Sequence, residues 1–149
     1  MIYLKRYNES ITDDIESMQN FCEVNLAYLL DDGFDVTVFN RRRREFCKIS
    51  IRKSLGNSIF KWSEIEKYFL PFLHFLTREY ESYLPHIYIR YKDLERPRYS
   101  STNFFEENYT MSQVLSDGFQ FNSKCVNEKE LLIGIDSIVI TGIKIKKSE

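Results

Sequence analysis

Between Thr12 and Leu30 apolar residues recur every three or four positions, at Ile15, Met18, Cys22, Leu26 and Leu29. That spacing makes one apolar stripe and predicts a helix over 12–30. Thr12 suits its N-cap, and Asp13, Asp14 and Glu16 sit where the helix dipole favours negative charge. Asp31-Asp32-Gly33 ends it, with Gly33 suited to the left-handed position after the last turn. Upstream, Ile2 and Leu4 alternate with Tyr3, Lys5 and Tyr7, which predicts a short strand over 2–7.

Past Gly33 the period drops to two. Phe34, Val36 and Val38 alternate with Asp35 and Thr37, and Cys47, Ile49 and Ile51 alternate with Phe46, Lys48, Ser50 and Arg52. The pattern predicts two strands, with Asn40-Arg41-Arg42-Arg43-Arg44 as the hairpin tip. Ser63-Glu64-Ile65-Glu66 reads as the capping box of a second helix, whose stripe is Ile65, Phe69, Phe72 or Leu73, Leu76 and Tyr80. Pro71 falls inside it and should kink or split it, since proline lacks the donor and clashes with the preceding turn. After Pro85, His86 to Lys92 alternates again, Ile87, Ile89 and Tyr91 inward and His86, Tyr88 and Arg90 outward.

Strand, helix, strand, strand, helix, strand is the ferredoxin-like βαββαβ order, so the expected fold class is α+β, with both helices on one face of an antiparallel sheet. This core would span residues 1–92. Residues 93–149 would add an extended polar arm and one or two closing strands to the same domain. Within them, Leu131–Ile135 and Ile138–Lys146 are separated by Asp136-Ser137, either a tight turn or a bulge in one long strand. Lys144-Ile145-Lys146-Lys147 suits an edge strand guarded by lysines.

Composition narrows the class without naming a chemistry. A chain of 149 residues, 43% hydrophobic and 29% charged, fits one domain with a real core. No secretory signal opens it, and no apolar run is long enough to span a membrane. Cys22, Cys47 and Cys125 stand apart, with no Cys-x-x-Cys pair or Cys/His cluster, so neither a zinc site nor a disulfide framework is expected. Phosphate-loop, dinucleotide and nucleophile-elbow motifs are absent, and neither His74 nor His86 has the His-x-Thr/Ser spacing of two-histidine phosphoesterases. No nucleophile, base and electrophile come together, so no enzyme, metal, cofactor or small-molecule substrate is expected.

Charge is more informative. The net charge is −1, from 21 basic and 22 acidic residues. Yet Glu9 to Asp35 holds eight acids and no base, while Arg41 to Lys53 holds seven bases and one acid. An outward sheet face of Tyr3, Lys5, Tyr7, Phe46, Lys48, Arg52, Tyr88 and Arg90 would interleave rings with cations. RNA-recognition sheets hold single strands that way, by stacking and phosphate contact. No stretch carries the glycine-aromatic signature of those domains: the third strand would read Glu45-Phe46-Cys47-Lys48-Ile49-Ser50. The same polarity suits protein assembly, with acidic helix meeting arginine hairpin.

Tyr3-Leu4-Lys5-Arg6-Tyr7-Asn8-Glu9-Ser10 resembles the short leader of many small proteins of tailed bacteriophages, and Leu29 to Val36 resembles a phrase found in them. A looser likeness is to the leaders of internal virion proteins, which are cut after a glutamate, here Glu9. Usage rich in Ile, Asn, Lys, Tyr and Phe is common in AT-rich genomes, many phages among them. The resemblance implies a phage context, in the host cytoplasm or the virion, and supplies no catalytic residues. The expectation is therefore a non-enzymatic binding or assembly protein that acts through protein contacts or self-association, without a membrane. The alternative is a single-stranded nucleic-acid binder. In either, Arg41, Arg42, Arg43, Arg44, Lys48, Arg52, Tyr3, Lys5, Tyr88 and Arg90 would meet the partner.

Overall fold

The first apolar stripe does form a helix, but a longer one than expected. In the computed structural model, which describes residues 2–40, 45–53, 59–93, 104–121 and 133–147, α1 runs Ile2–Asn25 and α2 runs Ala27–Asp31. The strand expected over 2–7 is therefore helix, and Thr12 lies inside α1 instead of capping it. The physical reason is continuity. Leu4, Ile11 and Met18 are seven apart, as are Ile15, Cys22 and Leu29, so the helical stripe extends upstream with no Gly or Pro to stop it. Six residues of alternation cannot compete with a stripe that continues into a long helix. Gly33 follows α2 at φ 89°, as its position predicts.

Among the described residues five strands make one antiparallel sheet: β1 Phe34–Phe39, β2 Phe46–Lys53, β3 Tyr80–Asp93, β4 Phe104–Thr110 and β5 Ile133–Lys147, in the order β1-β2-β5-β3-β4. The class is α+β. The expected βαββαβ order is not the one formed, because its first strand is helix and β4 and β5, both beyond the expected core, have joined the sheet. What survives is a split β-α-β unit. β2 and β3 are both antiparallel to β5, hence parallel to each other, and α3 (Trp62–Glu79) links them. β5 was expected at an edge and lies at the centre. Asp136 is a bulge in one long strand, since Arg90 pairs Ser137 while Tyr91 pairs Ile135. Inside the expected arm, β4 and α4 (Met111–Asp117) are regular, α4 being capped by Thr110 Oγ1, which accepts from the Gln113 amide.

The second helix also departs from its expected start. α3 begins at Trp62, and the Glu64 carboxylate accepts the Lys61 amide at 2.7 Å, so the box closes two residues early. Pro71 neither splits nor ends α3, which runs on to Glu79.

Cross-strand register sorts the two faces. Val36, Ile51, Ile138 and Ile89 lie in one row, and Val38, Ile49, Ile140 and Ile87 in the next. These join Met18, Cys22, Leu26 and Leu29 from the first helices and Ile65, Phe69, Phe72, Leu73 and Leu76 from α3 in one buried cluster. Each such aliphatic or aromatic side chain is worth roughly 1.5–3 kcal/mol in the core. The helices therefore lie on one face of the sheet, joined to each other by Phe21 on Phe72 (6.1 Å between centroids) and Tyr28 stacked on Tyr68 (5.4 Å).

At the edge of the sheet α1 does something no pattern foretold. Gln19 Nε2 donates to the Val36 carbonyl at 2.7 Å, and its Oε1 accepts the Val38 amide at 2.8 Å. One carboxamide thus takes the place of a strand residue on the outer edge of β1.

Candidate binding face of the sheet

The opposite face of the sheet is the candidate site. Its middle row is Thr37, Ser50, Val139, Tyr88 and Asn108, one residue from each of the five strands. Lys48 and Arg52 flank Ser50 along β2, and His86 and Arg90 flank Tyr88 along β3. Strand alternation forces these positions to share a face, because their odd-numbered neighbours Cys47, Ile49, Ile51, Ile87, Ile89 and Tyr91 are buried in the core. Lys48, Arg52, Arg90 and Asn108 are exposed; His86 and Tyr88 are half-buried.

Four expected site residues are thus brought together: Lys48, Arg52, Tyr88 and Arg90. Tyr3 and Lys5 are not among them. Both sit on α1, with Tyr7, because the segment that carries them is helix and not strand. Arg41, Arg42, Arg43 and Arg44 fall between β1 and β2, outside the described residues. Phe46 is half-buried at one end of the face, 6.3 Å between ring centroids from Tyr83.

Acids also stand on this face, and sequence reading missed them. Asp35 is directly across from Arg52, and Glu106 directly across from Arg90. Asp136 reaches Arg52 at 3.7 Å, its side chain 17% exposed against 60% for the arginine. Such a pair, half in water, adds at most about 1 kcal/mol to stability. Its effect is on the surface potential: the cations of this face are interleaved with carboxylates. No local signal marks Asp136 or Glu106, because their place depends on which strands pair. Asn108 was missed for the same reason, while His86, outward by its alternation, is not among the expected site residues; His86 Nδ1 and Asn108 Oδ1 are 2.9 Å apart, and the imidazole stacks on Tyr88 at 6.1 Å.

Beyond Phe46 the face ends in a double irregularity. Ser82 pairs Ile143 and His86 pairs Thr141, so β3 bulges over 83–85. Leu84 there has φ 44°, and Gly142 on β5 has φ 79°. A Cβ on Gly142 would lie 2.6 Å from the Tyr83 carbonyl oxygen, so only glycine lets the two bulges nest. Nearby, Lys144 bridges Glu45 and Glu81, each at 3.2 Å, and these two partners, Glu81 first, raise its pKa.

The thiols are elsewhere. Cys22 on α1 and Cys47 on β2 are both buried, and burial is what raises both pKa values, that of Cys47 to about 12. Among the described residues no group of three His, Cys, Asp or Glu side chains is placed to hold a metal ion. No described helix is long and apolar enough to cross a membrane. Compared with known families, curated proteins and solved structures, the chain matches no family model, no curated protein and no solved structure.

Proposed function

We propose that this chain is a non-enzymatic binding protein that uses the face of its sheet opposite the helices to contact another protein. The resemblance of its opening residues favours a phage context, as a virion component or a factor that meets a host protein. The observation that carries the reading is the interleaving of charges on that face. Lys48, Arg52 and Arg90 alternate with Asp35, Asp136 and Glu106. A polyanion would be repelled by three carboxylates among its phosphate contacts. A protein surface with its own alternation of acid and base meets no such penalty, and charge registry of this kind selects partner and orientation.

A second reading keeps a specific observation in its favour. His86 and Tyr88 present a stacked pair on a sheet face that also carries Lys48, two strands away across β5, and rings with cations on one face are what takes up unpaired bases. One experiment separates the two. Hydroxyl-radical footprinting of His86 and Tyr88 is run over a range of protein concentrations, with and without a mixed-sequence single-stranded oligonucleotide. Protection that grows with protein concentration, or on adding an acid-and-base peptide panel, supports the protein reading. Protection that needs the oligonucleotide and vanishes in high salt overturns it in favour of nucleic acid. Rings that stay unprotected in every arm refute both.

A further inference from the structure

Among the described residues the sheet has two outer edges, β1 and β4, and they are guarded differently. β4 carries Glu106 and Glu107 at its middle, charges that oppose pairing with a second strand of the same kind. β1, Phe34-Asp35-Val36-Thr37-Val38-Phe39, has no Lys, Gly or Pro, and its single charge, Asp35, stands on the outer face of the sheet across from Arg52. A short run of β-branched and aromatic residues with one charge pairs readily with another copy of itself. Its cover is one side chain. Gln19 on α1 donates through Nε2 to the Val36 carbonyl at 2.7 Å and accepts the Val38 amide on Oε1 at 2.8 Å. Nε2 also donates to Glu23, one turn further along α1, at 3.1 Å, which fixes the orientation of the carboxamide. Met18 and Cys22, buried on the same helix, hold α1 in place.

We infer that Gln19 is a guard that keeps the edge of β1 from pairing with the same edge of a second copy. The bonds themselves define the occupant. In a strand the N–H and C=O of one residue point to the same side, so Val36 and Val38 face outward while Asp35, Thr37 and Phe39 bond to β2. Without the carboxamide each copy presents an open acceptor at Val36 and an open donor at Val38. Two β1 strands laid antiparallel about Thr37 set Val36 of each against Val38 of the other, so each open donor meets the other copy's open acceptor. That register puts Thr37 opposite Thr37 and Asp35 opposite Phe39, with no like charges facing. As part of the same chain, Gln19 acts at an effective concentration that a second molecule matches only when the protein is concentrated. The guard acts on the backbone edge of β1 and not through the side chains of the sheet face, so it does not rest on the proposed function.

Removing the guard tests it. In sedimentation equilibrium Gln19→Ala should pass from the 17.9 kDa monomer to a dimer as concentration rises, at least about tenfold more tightly than the wild type associates. Gln19→Asn, as polar but one methylene shorter, should do the same and carries the test where the alanine variant does not fold; a thermal midpoint checks each. Hydrogen exchange locates the contact. The Val38 amide of Gln19→Ala should exchange fast in the dilute monomer and at least about tenfold more slowly once the dimer forms. Adding Thr37→Lys to Gln19→Ala sets two ammonium groups against each other on the two-fold axis and should return the protein to monomer, as should adding Thr37→Glu. An equal mixture of those two double variants should recover a dimer holding one copy of each. A folded Gln19→Ala or Gln19→Asn that associates no more tightly than the wild type overturns the proposal, and so does a dimer that leaves the Val38 amide unprotected. A dimer that Thr37→Lys does not weaken refutes the pairing about Thr37.

Discussion

Replacing Gln19 with leucine tests the account of the β1 edge. The side chains are similar in size, so the change removes the carboxamide without opening a large hole. It leaves the Val36 carbonyl and the Val38 amide without the partners they now have at 2.7 and 2.8 Å. A satisfied hydrogen bond contributes roughly 0.5–1.5 kcal/mol net, and a group left unpaired and shielded from water costs about 1–3 kcal/mol. Both bonds are only partly buried, so water recovers some of the loss, and about 2 kcal/mol is expected. For a chain of 149 residues that lowers the thermal midpoint by roughly 4–8 °C. Hydrogen exchange reads the same contact locally: the Val38 amide should exchange at least about tenfold faster in the variant, while that of Ile51 in the middle of β2 changes only with global stability. Gln19→Glu separates hydrogen bonding from packing. Its carboxylate still accepts the Val38 amide but faces the Val36 carbonyl, and it also lies by Glu23, to which Gln19 now donates at 3.1 Å. Those neighbours raise its folded-state pKa, so the variant should be the less stable of the two at neutral pH and recover as pH falls through that raised pKa, fully by about pH 4, where the carboxyl is protonated in both states. A midpoint within about 1 °C of wild type for Gln19→Leu, or unchanged Val38 exchange, would show that the edge is not held this way.

Three further outcomes rest on packing and burial. Gly142→Ala forces a Cβ to 2.6 Å from the Tyr83 carbonyl at a φ of 79°, and urea unfolding should show a loss of about 2–4 kcal/mol; Gly118→Ala, also at positive φ but with open space around it, should lose less. Pro71→Ala on the exposed side of α3 supplies an amide donor inside the helix and removes the ring clash, and should raise stability by roughly 1–3 kcal/mol; an unchanged unfolding midpoint would mean that α3 has already adapted to the proline. Cys22 and Cys47, both with thiol pKa values raised by burial, should resist a thiol reagent in the native protein and react on unfolding. In the unfolded chain they lose protons from about pH 9, in the folded chain only at higher pH, so the unfolded state binds fewer protons and stability should fall as pH rises above about 9. A flat stability profile from about pH 8 to about pH 10.5 would contradict the burial of both thiols.

The sequence by itself determined the elements whose pattern repeats often enough to outvote its neighbours. The stripe from Ile15 to Leu29, the alternations of Phe34–Val38 and Cys47–Ile51 and the inward set Ile87, Ile89 and Tyr91 all stand where spacing put them. Hydrophobic burial acts on each segment alone, so period and stripe are visible locally. It also determined the polarity of charge between residues 9–35, with eight acids and no base, and residues 41–53, with seven bases and one acid. Only the tertiary structure decided the rest. Residues 2–7 carry too few alternations to declare a strand, and their helix depends on continuity with the stripe that begins at Ile11 and Ile15. The lysine-rich tail has an alternation that fits an edge or a centre equally, and insertion between β2 and β3 chose the centre. That choice set the register, and the register alone placed Asp136 beside Arg52 and Glu106 across from Arg90. Pairing between strands far apart in the chain leaves no trace in either strand, because backbone hydrogen bonds are the same for every residue. The character of the candidate face, mixed in charge where the sequence read it as basic, is therefore a property of the fold.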